Sequence, residues 1–147
     1  MIYFEDISVG DETVSDRKTV TKEEILDFAR KYDPQSFHID EEAAKSSIYG
    51  GIIASGWHTA SIFMRLLIDS ATNNRAALGS PGFDELRWVR PVRPNDTLHF
   101  KSTVFETRRS NSRPDMGIVR SDAKLFNQND EIVLTLKSTG MFQTRPE

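Results

Sequence analysis

Residues 32–59 read YDPQSFHIDEEAAKSSIYGGIIASGWHT, and the fold is decided by how that run is punctuated. Asp33 and His38 stand five residues apart around Pro34. Two glycine-containing pairs, Gly50-Gly51 and Ser55-Gly56, then lead into a long apolar segment. Trp57, Ala60, Met64, Leu67, Ile68 and Ala71 recur there at three- and four-residue steps with Phe63 alongside, which predicts a helix from about residue 56 to 72. Because that helix is apolar over much of its circumference, it is expected to be buried, with Ser55 as its N-cap and Asn73-Asn74 at its end. An acid and an imidazole can share general acid–base work, and the first amides of a helix can hold a developing oxyanion. Those are the parts needed to add water to, or remove it from, an α,β-unsaturated acyl group.

Upstream of the run, residues 12–20 have strand character. Thr21 and Glu24 make a T-x-x-E capping box, and Ile25, Leu26, Phe28, Ala29 and Tyr32 follow with helical spacing. Pro34 should stop this helix, because the residue before a proline avoids the α region. Asp33 is then left at or just past a helix end. Phe37-His38-Ile39 reads as alternation, with His38 pointing away from its two apolar neighbours. Asp40 is placed to cap a second short helix, EEAAKSS, that ends before Gly50-Gly51.

Downstream, the pattern changes to strands at 84–89, 97–108, 117–127 and 131–142. Leu98, Phe100 and Val104, and then Ile132, Leu134 and Leu136, alternate with polar residues. Residues 127–130, Asn-Gln-Asn-Asp, form a hairpin loop by composition, and Pro91 and Pro94 punctuate the connection between the first two strands. One long helix against a meander of antiparallel strands is an α+β two-layer solution.

Bulk properties narrow the function. A chain of 147 residues without repeats or linkers is expected to be one domain, 1–147. A net charge of −3 gives no field that favours nucleic acid. The absence of cysteine removes thiolate nucleophiles, cysteine metal sites and disulfides, and suits a reducing compartment. The acidic start MIYFEDISVGDE lacks a secretory pattern, and no apolar run is long enough to span a bilayer. These features lead to an expectation of a cytoplasmic protein with no membrane or nucleic-acid partner. No histidines and acids have metal-ligand spacing, and neither a G-x-G-x-x-G, a P-loop nor a G-x-S-x-G is present. His58 is read as structural, and His99 as lying on the outer face of the sheet. Arg87, Arg90 and Arg93 are read first as a solvated strand end, with phosphate binding as the alternative. Trp88 is read as core or interface.

The run from Asp33 to Gly56 resembles the MaoC-like branch of the hot-dog fold, which includes the R-specific enoyl-CoA hydratases. That family carries D-x-N-P-x-H, then H-x-D, then a glycine-rich turn into the central helix. Here Asp33 and His38 keep the acid-to-histidine spacing, His38-Ile39-Asp40 keeps the second step, and Tyr49-Gly50-Gly51-Ile52-Ile53-Ala54-Ser55-Gly56 keeps the turn. The stretch VRPVRPNDTL resembles the family's P-V-x-x-G-D strand entry, and the likeness covers nearly the whole chain. The differences are Pro34-Gln35-Ser36-Phe37 between acid and histidine, Ser55 where a histidine is common, and Met64 where some hydratases carry serine.

The resemblance implies a hot-dog domain, an antiparallel sheet wrapped around a central helix, in a homodimer or larger homo-oligomer. It implies reversible hydration of a trans-2-enoyl-CoA to a (R)-3-hydroxyacyl-CoA. Asp33 and His38 would be catalytic. Gly56, Ser55, Gly51 and Trp57 would bind substrate, with the Gly56 amide receiving the thioester oxygen. No cofactor or metal is expected, coenzyme A being part of the substrate. The alternatives are a hot-dog thioesterase and a non-catalytic acyl-CoA-binding protein. Residues 57–68 contain no Asp or Glu, which disfavours the thioesterase, and retention of both Asp33 and His38 weighs against the binding protein.

Overall fold

The computed structural model describes residues 1–70 and 74–147. The helices are α1 (Lys22–Tyr32), α2 (Ser36–Ile39), α3 (Glu41–Ser46) and α4 (Gly56–Ser70). The strands are β1 (Glu12–Val14), β2 (Lys18–Thr19), β3 (Ala77–Trp88), β4 (Thr97–Arg109), β5 (Met116–Phe126) and β6 (Ile132–Gln143). They pair antiparallel in the order β1-β4-β5-β6-β3, with β2 also on β4. This is the α+β hot-dog arrangement. Ala71 and Asn73, assigned above to the end of the main helix, lie outside the described residues.

Local chemistry explains the ends of the helices. The Thr21 hydroxyl accepts from the Glu24 amide, and the Asp40 carboxylate accepts from the amides of Glu42 and Ala43. Gly50 has φ +69°, a left-handed turn that β-carbons disfavour. The core between α4 and the sheet holds Ile25, Phe63, Leu98, Phe100, Leu125 and Leu134, each almost fully buried. A smaller cluster, Phe4, Ile7, Val104, Val119 and Phe142, closes the far end.

Four expectations are corrected. The face of α4 that is buried is His58, Thr59, Ile62, Phe63 and Leu66, whereas Trp57 is 60% and Met64 38% exposed. Apolar periodicity missed this because the face contains two polar residues, His58 and Thr59. The His58 ring stacks on Phe28, and the Thr59 hydroxyl donates to the Ser55 carbonyl. Residues 36–39 are a helical turn rather than an alternating segment. Three residues are too few to distinguish the two periods. Next, β3 begins at Ala77, well before residue 84, because Gly79-Ser80-Pro81-Gly82 is irregular strand. Gly79 and Gly82 take φ of +115° and +146° there, and the pairing with β6 shifts register at both. The predicted strand at 12–20 is broken into β1 and β2, with Ser15 between them holding both backbone groups of Phe100.

Candidate active site

The chain leaves α1 at Tyr32, and Asp33 adopts φ −152°, ψ 68°, consistent with its place before Pro34. Its amide still bonds back to Ala29, so its side chain is aimed from a fixed helix end. The turn of α2 then returns His38 toward it. His38 is 4% exposed. Its Nδ1 lies 2.8 Å from the Ile53 carbonyl, and its Nε2 lies 3.3 Å from Asp33 Oδ2. A carbonyl only accepts, so Nδ1 carries a proton and Nε2 is the nitrogen left to exchange one.

Asp33 is fixed by two further donors. The Ser55 hydroxyl donates to Oδ2 at 2.7 Å, and the Gln35 amide donates to Oδ1 at 2.7 Å. The same Ser55 oxygen accepts from the Trp57 amide, so it caps α4 and ties the acid to the helix start. Burial raises the affinity of Asp33 for a proton. The hydrogen bonds from Ser55 and Gln35 and the attraction of His38 outweigh it, and the carboxyl is held below its usual value.

These groups open onto a cavity of about 460 Å³ whose lining includes Asp33, His38, Tyr49, Gly56, Trp57 and Trp88. Gly56 is the first residue of α4, and its amide has no acceptor among the described residues. A β-carbon on Gly56 would overlap the Trp88 indole, 2.6 Å from Cδ2. The glycine thus admits Trp88, which packs edge-on against Trp57 with centroids 5.2 Å apart.

Asp33, His38, Gly56 and Trp57 are therefore brought together. Gly51 does not line this cavity, and neither does Ser55, which is completely buried and reaches Asp33 instead. Gln35 and the Ile53 carbonyl are partners that the sequence reading did not assign. A side-chain amide two residues after an acid was the one available signal for Gln35, and a backbone carbonyl leaves none. Trp88 is 46% exposed at the cavity. Arg90 also lines it and approaches Glu131, while Arg87 lies in a charged concavity formed with Lys101 and Asp122. His58 is 7% exposed and does not line this cavity, its ring on Phe28 and its Nδ1 without a partner among the described residues. His99 lies apart, stacked on Phe126. Among the described residues, no group of three or more His, Cys, Asp or Glu could hold a metal ion.

The sequence pattern of the family described as MaoC like domain matches residues 8–124. This chain belongs to that family. A MaoC-like dehydratase from Rhodospirillum rubrum superposes with a TM-score of 0.92 at 43% identity, over 100% of both chains. YdeM of Bacillus subtilis is 31% identical over 111 residues, 76% of this chain and 77% of YdeM. Mesaconyl-CoA hydratase of Cereibacter sphaeroides is 35% identical over 74 residues, which is 50% of this chain and 20% of that protein. That 74-residue alignment thus spans a fifth of the mesaconyl-CoA hydratase.

Proposed function

We propose that this MaoC-like protein is an acyl-thioester hydratase/dehydratase that reversibly hydrates a trans-2-enoyl-CoA to a (R)-3-hydroxyacyl-CoA. The observation that carries this reading is the Asp33–His38 pair, 3.3 Å apart, facing one cavity with the unclaimed Gly56 amide. Membership of the MaoC-like family supports the reaction class. A water held between the carboxylate and His38 Nε2 would lose a proton to the pair as its oxygen bonds to C3. The pair would return one proton to C2, so that the elements of water are added and the enzyme is regenerated. As the double bond opens, charge grows on the thioester oxygen. The Gly56 amide at the positive end of α4 would be the donor that receives it. The same reading takes the working unit to be a homodimer, because Trp57, Trp88 and Val89 remain exposed around the cavity mouth.

The test is loss of enoyl-thioester absorbance, run beside a free-thiol assay. Hydration bleaches the absorbance without releasing thiol, whereas thioester cleavage releases it. Asp33→Asn and His38→Ala should each lower kcat by about 10²–10⁴, the range for lost general acid–base catalysis. Near-parental rates in either folded variant would remove that residue from the chemistry. Thiol release without hydration would favour the thioesterase.

A further inference from the structure

A second cavity, of about 220 Å³, lies between the C-terminal half of α4 and the sheet. Its helix side is Phe63, Met64, Leu67 and Ile68. With Gly56 and Ala60, these residues follow one another at steps of three and four, so they share one face of α4. That face starts at the Gly56 amide and reaches Phe63 after about 10 Å and Ile68 after about 18 Å of helix rise. The stripe that reads as core in the sequence thus runs along α4 from Gly56, in the lining of the first cavity, to the lining of the second.

The sheet side of the second cavity is polar where the rest of that face is not. Leu98, Phe100, Val104, Val119, Leu125 and Leu136 point to the core. At the same parity, Ser102, Ser121 and Ser138 line the cavity. Ser121 pairs directly with Ser138, and Ser102 with Ala123 on the same strand as Ser121. None of the three hydroxyls has a hydrogen-bond partner among the described residues. Arg75, half-buried, lines the same cavity, and its guanidinium forms no ion pair or hydrogen bond among the described residues. Burial pushes its proton affinity down and Asp11 pulls it back, but the two do not close an ion pair. A desolvated cation beside three free hydroxyls is costly unless an anion meets it, and a guanidinium fork matches a carboxylate in two hydrogen bonds.

Resting on the hydratase reading, we propose that this cavity receives the far end of the acyl chain, and that the chain ends in a carboxylate held by Arg75. The substrate class is then the thioester of an α,ω-dicarboxylic acid, long enough to run from Gly56 to Arg75.

The test uses saturated coenzyme A thioesters of about eight to twelve carbons, matched to the roughly 10–18 Å of helix between the two cavities. One set ends in a carboxylate and the other in a methyl group, and calorimetry gives their affinities for the intact protein. The carboxylate-ended set should bind at least tenfold tighter. Arg75→Gln should bring that ratio close to one, and Arg75→Lys should fall between. Equal binding, or tighter binding of the methyl-ended set, would overturn the proposal, as would a preference that survives in folded Arg75→Gln. If Arg75→Gln does not fold, the wild-type ratio still decides. The matching trans-2-enoyl thioesters separate the two readings. Hydration without carboxylate preference leaves the hydratase standing and removes the Arg75 assignment. Carboxylate-selective binding without hydration does the reverse.

Discussion

Asp33 receives a donor on each oxygen from its own chain, Gln35 on Oδ1 and Ser55 on Oδ2. Ser55 differs from Gln35 in being completely buried and in capping α4 with the same oxygen. It is a positioning residue for the acid, and its loss should show in two ways. Hydrogen bonds to charged groups contribute about 1.5–3 kcal/mol, so Ser55→Ala should lower kcat tenfold or more with little change in KM. The second effect follows from proton linkage. The folded carboxyl lies below its usual value near 3.8. Ionised Asp33 therefore stabilises the fold above that unfolded value, and the stability is lost as pH falls through the lower folded value. Ser55→Ala removes a donor, raises the folded value and moves the acid limb of both activity and stability to higher pH. A pH–rate profile together with acid unfolding would detect this, and an unmoved acid limb would leave Ser55 with capping alone.

At the scale of elements, much of the arrangement was legible because local rules agreed with the fold. Thr21 and Asp40 cap where their spacing says they should, and Pro34 ends α1 so that Asp33 leaves it. The hairpin at 127–130 joins β5 to β6 as its composition implies. The closeness of Asp33 and His38 was legible by spacing, but the support of the two side chains was not. Ile53 contributes only backbone, and Ser55 acts through a contact 22 positions away in sequence. The buried face of α4 was misread because His58 counts as polar while its ring stacks on Phe28, centroids 4.8 Å apart and 7° from parallel. That contact joins α1 to α4, and it gives His58 a pH signature. Burial lowers its proton affinity, with a smaller opposing pull from Glu24. The unfolded chain then takes the proton first as pH falls through about 6.5. Stability is full above that value and is lost below it, by at most about 1.4 kcal/mol per pH unit for one group. His58→Phe keeps the stacked ring and removes the proton site. Denaturant unfolding at pH 7.5 and pH 5 should show a smaller loss in the variant than in the parent. Equal losses would mean that another group titrates in that window.

For the whole molecule, what is exposed matters as much as what is buried. β3 pairs with β6 on one side and ends the sheet order on the other. Leu78 on that strand is 48% exposed, and Trp88 at its end is 46% exposed. Val89 follows at 54%, and Trp57 on α4 stands against Trp88 at 60%. Large apolar side chains gathered beside an unpaired strand edge are what a protein covers with a partner. The irregular backbone at Gly79 and Gly82 and Pro81 between them roughen the start of that edge, which restricts indiscriminate pairing. The cavity that holds Asp33 and His38 is open on this same side, where Trp57 and Trp88 form part of its wall. One chain supplies Asp33, His38 and the helix terminus but leaves that wall exposed, so a second copy related by a two-fold axis would cover both mouths at once. Sedimentation at micromolar concentration should therefore give a species of at least twice the chain mass, and dilution into the dissociated range should remove hydratase activity in parallel. A folded monomer that hydrates enoyl-thioester at the full rate would show that one chain builds the entire site.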